Sequence, residues 1–325
     1  MSGTLRAAML AASVVMGLAG VSAHTVAKDK GAASDCDRAC LQGHLDQFIN
    51  AVLKHEPAAL PLASGAKVIH NGKPDEQLAD EGLWKNTESI TYRQSVLDPG
   101  AGQAALFAVA AADHKRGTLF VRLKVEHGKL AVIETIAGER VLDGVPGLIS
   151  PNPLFNYVLP QQQRRSREQL VAIADSYFEG LEKHDGSKVP ISDDCRRMED
   201  GVQTSLNPVF LPLTCNDFAP FKYMDKTANR LYPIVDVERG LVLGQMVIQV
   251  SQAAGPPSAP PPGAAGGAGA PYQVNPATGM VMPANEFRRK PHDTIIHELF
   301  KVVDGRITEI QTIRLDRQYG WGGGW

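Results

Sequence analysis

Apolar residues recur at helical spacing in two stretches: Leu41, Leu45, Phe48, Ile49 and Val52, then Leu170, Ile173, Ala174, Tyr177, Phe178 and Leu181. That recurrence predicts an amphipathic helix in each. Ser166, three residues before Gln169, forms a capping-box pattern that starts the second helix. Pro57 and Gly186 stop the two helices just after His55-Glu56 and His184-Asp185. Elsewhere the period falls to two. Leu119, Val121, Leu123 and Val125 share one strand face, His127-Gly128 makes a tight turn, and Leu130 to Ile136 returns. Ile295 to Val302, Asp304-Gly305 and Ile307 to Ile313 repeat that hairpin, and Asp-Gly between two β-rich runs is a strong hairpin signal. A further hairpin is predicted from Leu231 to Val237 and Leu241 to Val250, around Glu238-Arg239-Gly240.

These elements occur twice in the same order. His55, Pro61 and Gly72 are matched by His184, Pro190 and Gly201 at a constant offset of 129 residues, whereas Gly128 and Gly305 lie 177 apart. A repeat of this length is a duplicated domain, not a solenoid. The offset grows by 48 residues, which predicts an insertion in the second copy. The Pro/Gly-rich stretch 253–272 cannot bury a core and reads as a disordered loop there. The expected fold class is α+β: two tandem domains, 34–150 and 166–319, each with helices packed on an antiparallel sheet. A linker, 151–165, joins them, and the Gly/Trp tail 320–325 is expected to be mobile.

With 325 residues, a formal charge of −2 and 43% hydrophobic residues, the chain fits two globular domains. It lacks the concentrated basic surface that a nucleic-acid partner requires. Arg6, the apolar stretch from Ala7 to Val21 and the small residues Val21-Ser22-Ala23 read as a signal peptide, 1–23, so the expected location is periplasmic or secreted. No later segment is apolar enough to span a bilayer. Export makes disulfides plausible. The four cysteines allow three pairings, and the local one is Cys36 with Cys40 and Cys195 with Cys215. A four-cysteine zinc site is the rival, but its paired C-x2-C knuckles are missing. Gly-rich phosphate loops, G-x-S-x-G elbows and H-E-x-x-H helices are likewise missing.

A helical start, a His-acid turn, a following Pro and a strand–Asp-Gly–strand ending in Glu/Gln-Thr-Ile resemble the nuclear transport factor 2-like superfamily. Its members include the SnoaL-like cyclases, ketosteroid isomerase and scytalone dehydratase. The segment from Arg230 to Gly240 looks like a secreted double-domain branch of it. The resemblance implies that helices wrap a curved sheet into a cone with a pocket at its open end. It also implies cofactor-free acid–base chemistry, with apolar surroundings tuning a carboxylate or His.

The pairs His55-Glu56 and His184-Asp185 recur at helix ends, where structure explains them. The more informative positions are those where the copies disagree. His297 stands where the first copy has Phe120, Arg197 where it has Val68, Glu199 where it has His70, and Tyr177 where it has Phe48. Alternation puts Arg197 and Glu199 on one face, and His297 shares a face with Ile295 and Leu299. The candidate catalytic residues are His297, Glu199 and Asp236, the latter on the strand that starts near Tyr232. The candidate substrate-binding residues are Arg197, Tyr177 and Tyr232. No cofactor and no metal are expected. The expected partner is a small, weakly charged organic molecule undergoing elimination, isomerisation or lyase-type cleavage. The alternatives are a non-catalytic ligand-binding or envelope-associated module built as a fused pseudo-dimer, and a glycan-related role, for which no carboxylate pair is evident. Further homo-oligomerisation is left open.

Overall fold

The computed structural model describes residues 36–74, 82–112, 115–137, 150–206, 214–218, 221, 224–250, 272–274, 281–283 and 291–321. The expected signal peptide and the loop 253–271 lie outside them. The first domain runs α1 (Arg38–Lys54), β1 (Leu62–His70), β2 (Lys73–Pro74), α2 (Leu83–Asn86), β3 (Thr87–Asp98), β4 (Gln103–Ala112), β5 (Lys115–Glu126) and β6 (Lys129–Ala137). The connection to the second domain carries α3 (Pro153–Asn156). The second domain then runs α4 (Arg167–Lys183), β7 (Ile191–Glu199), β8 (Val202–Gln203), β9 (Lys226–Asp236), β10 (Leu241–Val250), β11 (Tyr272–Val274), β12 (Val281–Pro283), β13 (His292–Val303) and β14 (Arg306–Gln318).

Both sheets have six strands in equivalent order, β2-β1-β6-β5-β4-β3 and β8-β7-β14-β13-β10-β9. All neighbours are antiparallel except β1 with β6 and β7 with β14. The fold class is therefore α+β in two tandem copies. The extra residues of the second copy fall in two places. Asp98 and Asp236 hold equivalent register positions, 138 apart, so nine residues lengthen the loop before β9. The other 39 sit between β10 and β13, where the first domain has only the turn between β4 and β5.

Local chemistry explains the repeat. α1 starts at Asp37, whose side chain accepts from the Cys40 N–H, and α4 starts at the Ser166–Gln169 capping box. Each helix ends on a histidine in the left-handed conformation, His55 at φ 58° and His184 at φ 54°. Their backbone N–H groups close back on the last turn, so these histidines serve as helix caps. The turns Asn71-Gly72, His127-Gly128, Asp200-Gly201 and Asp304-Gly305 all take two consecutive positive φ values. That twist matches tight hairpins and favours Asn, Asp and Gly. The cysteines pair locally, Cys36 with Cys40 and Cys195 with Cys215. Two disulfides fit an oxidising, extracellular environment. Among the described residues no helix is long and apolar enough to cross a membrane.

Three cores result. One lies inside each domain, between helix and sheet. The third lies between the sheets, where Val96, Phe107, Phe120 and Ile136 of the first domain meet Ile234, Leu243, Ile295 and Ile313 of the second. The contact is isologous, with equivalent surfaces facing each other. Its rim is reciprocal too. Arg38, opening α1, bonds Asp236 at 2.7 Å, and its counterpart Arg167, opening α4, bonds Asp98 at 2.6 Å. The segment between the domains is itself packed. Phe155 is buried in the interdomain core, and the Leu159 N–H donates to the Glu238 carbonyl at 2.9 Å. Trp321, expected in the mobile tail, packs against the same core.

Candidate functional site

Strand β13 is buried on both faces. Ile295, His297 and Leu299 point to the other domain, while Ile296, Glu298 and Phe300 point into the second cone. That division separates the sequence-predicted residues. Tyr177, Arg197 and Glu199 come together in the cone. His297, Asp236 and Tyr232 do not join them.

His297 lies at the interdomain contact and is fully buried. Its ring meets that of its own counterpart, Phe120, at a centroid distance of 4.0 Å, so the two equivalent positions face each other near the pseudo-twofold axis. Nε2 of His297 lies 3.0 Å from Oε1 of Glu134. Arg122 donates to Oε2 of Glu134 at 2.7 Å and Gln245 donates at 3.0 Å. Burial by itself would push the Glu134 carboxyl up, but Arg122 and His297 outweigh it and hold the group well below the usual carboxylate range. Asp236 is clamped by Arg38 and by Arg239. Tyr232 donates to Asp175 of α4 at 2.7 Å and stacks on Phe178, fastening the helix to β9. In each of the three, these contacts tie one element of the fold to another.

The cone of the second domain holds a polar cluster in apolar surroundings. Arg197, from β7, is 1% exposed. Its Nε lies 2.9 Å from Oε1 of Glu199, and its Nη1 donates to the Tyr177 hydroxyl at 3.2 Å. Its guanidinium carbon sits 5.4 Å over the Phe221 ring. Nη2 has no partner among the described residues. Arg314, from β14, approaches Glu199 at 3.7 Å and bonds Asp200 at 2.9 Å. Across the cavity, Thr312 Oγ1 donates to Oε1 of Glu298 at 2.9 Å.

Glu298 is the residue that sequence reasoning missed. Desolvation, reinforced by the nearby Glu199 carboxylate, pushes its carboxyl up to about 8 against the pull of Thr312, Arg197 and Arg314. At neutral pH it is therefore mostly a neutral acid. The same burial pushes the Tyr177 phenol well above its ordinary value. The signal for Glu298 lay in the sequence: it stands 177 residues after Val121, one step along from the Phe120/His297 pair.

Leu181, Phe221, Met224, Ile248 and Ile296 complete the walls. The free space is about 30 Å³, room for about two water molecules. In the first cone the equivalent positions are Phe48, Val68 and Val121, which join an apolar core with Trp84, and His70, whose Nδ1 lies 2.8 Å from Thr135 Oγ1. The rings of Phe48 and Trp84 meet edge to face at 5.4 Å. The polar cluster is thus peculiar to the second copy.

The Cys195–Cys215 bridge ties β7 to the loop that covers the cone, and Arg197 Nη1 approaches the Cys215 carbonyl at 3.4 Å. Replacing both cysteines by Ala is expected to cost about 3 kcal/mol, from the loop entropy of a bridge with a sequence separation of 20. A urea titration of the double variant checks this. An unchanged midpoint would show that the loop is held by its packing alone.

A family model described as "Domain of unknown function (DUF8021)" matches residues 163–314. No curated protein matches the chain. Among solved structures, a SnoaL-like protein from a Jannaschia species, provisionally assigned as a polyketide cyclase, is similar at 15% identity and TM-score 0.26. That match covers 47% of this chain and 90% of that one. A second protein with the same provisional assignment, from Xanthomonas campestris, is similar at 14% identity and TM-score 0.27, covering 45% and 90%. A de novo designed NTF2-fold protein is similar at 16% identity and TM-score 0.22, covering 31% and 84%.

Proposed function

We propose that the second domain is a cofactor-free acid–base catalyst acting on a small, weakly charged organic molecule, of the elimination or isomerisation type. The observation that carries this reading is that buried Glu298 lines the same small cavity as Arg197, whose Nη2 has no partner among the described residues. Glu298, neutral near pH 7, donates its proton to a substrate oxygen or, once ionised, withdraws one from carbon. A carboxyl tuned to within about a unit of the working pH suits both directions. Arg197 Nη2 supplies a fixed donor for the oxygen on which negative charge develops, and it needs no reorganisation to do so. Tyr177 and Glu199 hold the guanidinium in place. Tyr177 keeps the substrate-side role of the sequence reading, Glu199 moves from catalytic candidate to positioning group, and Glu298 takes the role first given to His297. With about 30 Å³ free, a substrate has to displace the Phe221 and Met224 side chains to enter.

The test is a turnover screen with small uncharged carbonyl and alcohol substrates. Glu298→Gln is expected to lower kcat at least about 100-fold while leaving the fold intact by circular dichroism. Unchanged turnover in that variant would remove Glu298 from the mechanism. The small cavity favours the second reading, a non-catalytic module with two packed cones. That reading gains if no compound in the screen is turned over and none raises the melting temperature.

A further inference from the structure

A larger cavity lies outside the cone. An open cleft of about 390 Å³ runs between residues 150–155, the interdomain side of β7 and β14, and Tyr92 of β3. That is within the size range of small-molecule sites, which favour junctions between domains. We propose that this cleft is a second binding site, for an uncharged molecule with a primary-amide or hydroxyl head on a planar apolar body.

The head group is read from two side chains. Gln311 is 2% exposed, and its Oε1 accepts from the Tyr92 hydroxyl at 2.7 Å. Its Nε2 has no partner among the described residues. Having given its proton to Gln311, the Tyr92 oxygen keeps lone pairs that can accept. A buried donor and an acceptor thus stand side by side. A single amide or hydroxyl satisfies both, by accepting from Gln311 and donating to Tyr92.

Tyr92 is placed there at a cost. It has φ 39°, a left-handed conformation that bulky residues rarely adopt, at a break in the β3–β4 register between Thr91 and Arg93. Bulges of this kind re-aim a side chain, and strain of this kind gathers at ligand-handling sites. Here it carries a first-domain hydroxyl across to the second domain.

The charge of the ligand follows from the rest of the cleft. Arg196 pairs with Glu309 at 2.8 Å, and Asn152 also bonds Glu309. Arg197, which also borders the cleft, pairs with Glu199 at 2.9 Å, so each cation at the cleft already faces a carboxylate and the site favours an uncharged ligand. Phe155 and Met198 supply apolar wall. Arg197 borders both cavities, but Tyr92 and Gln311 line only this cleft and Glu298 only the cone, so variants at those positions test the two proposals separately.

Benzamide is a suitable probe, with benzoate as the charged control, and binding is followed by ligand-observed NMR on the full chain. Benzamide is expected to bind saturably at millimolar concentration and benzoate not to compete. Tyr92→Phe, which keeps the ring, and Gln311→Leu are each expected to weaken benzamide about tenfold. Glu298→Gln is expected to leave it unchanged. Equal binding of benzoate, wild-type affinity in both cleft variants, or loss of binding only in Glu298→Gln would each overturn the proposal. Melting temperatures of the variants confirm that the folded chain is being titrated.

Discussion

Glu298→Gln is expected to stabilise the protein at about pH 9 and to leave its stability nearly unchanged at about pH 5. Gln mimics the neutral acid in shape and polarity, so the variant reports what ionising Glu298 costs the fold. The group is raised from its ordinary 4.5 to about 8 in the folded state, so the folded protein binds this proton more tightly than the unfolded chain does. The contribution of the group is therefore fully present below about pH 4.5. It is lost as pH rises through the folded value, and no further loss follows above that. The difference between variant and wild type should open across that window, to an order of a few kcal/mol at its top. Denaturant midpoints at three pH values measure it. A difference that does not change with pH would mean that Glu298 is not the neutral acid described, and the catalytic proposal would lose its footing with it.

Glu134→Ala is expected to destabilise the protein by about 3–5 kcal/mol, the usual result of stripping one partner from a buried charge cluster. The variant strands Arg122, His297 and Gln245, all of which address this carboxylate from within the interdomain contact. His297 is fully buried and Arg122 is 12% exposed at its side chain, so solvent replaces little of what is lost. The carboxylate lies below its ordinary range, so its contribution is present at neutral pH and disappears only as pH falls well into the acid region. The effect of Glu134→Ala should therefore be large at pH 7 and shrink in strong acid, the opposite direction to Glu298→Gln. A cost under about 1 kcal/mol at pH 7 would show that water reaches the cluster.

The sequence made the frame of the molecule legible because local chemistry specifies it. Helix caps, tight turns with two left-handed residues and alternating strand patterns each act over a few residues, and the duplication supplied a second copy of every signal. The site was harder to read. Comparing the copies singled out Tyr177, Arg197 and Glu199, which do converge in the cone. The same comparison also selected Phe120/His297, where the difference belongs to the contact between domains. β13 is buried on both sides, so its composition does not say which face looks into a cone and which at a neighbouring sheet. Only the tertiary arrangement separates His297 from Glu298. The surroundings of Asp236 were illegible for a related reason: its partner Arg38 lies nearly two hundred residues away, and no local pattern announces such a clamp.

The reciprocal clamps Arg38–Asp236 and Arg167–Asp98 also bear on how the two halves can differ. Covalent connection keeps each half at a high effective concentration for the other, in the millimolar range for short tethers. An interface held that way tolerates unequal partners: the single carboxylate of Glu134, His297 set against Phe120, and one cone charged while the other is filled. Two separate identical subunits would have to carry every such change twice, and the buried acid of one cone would appear in both. The tether thus lets one half keep a dense apolar core for stability, while its twin accommodates the unpaired donor and the neutral acid.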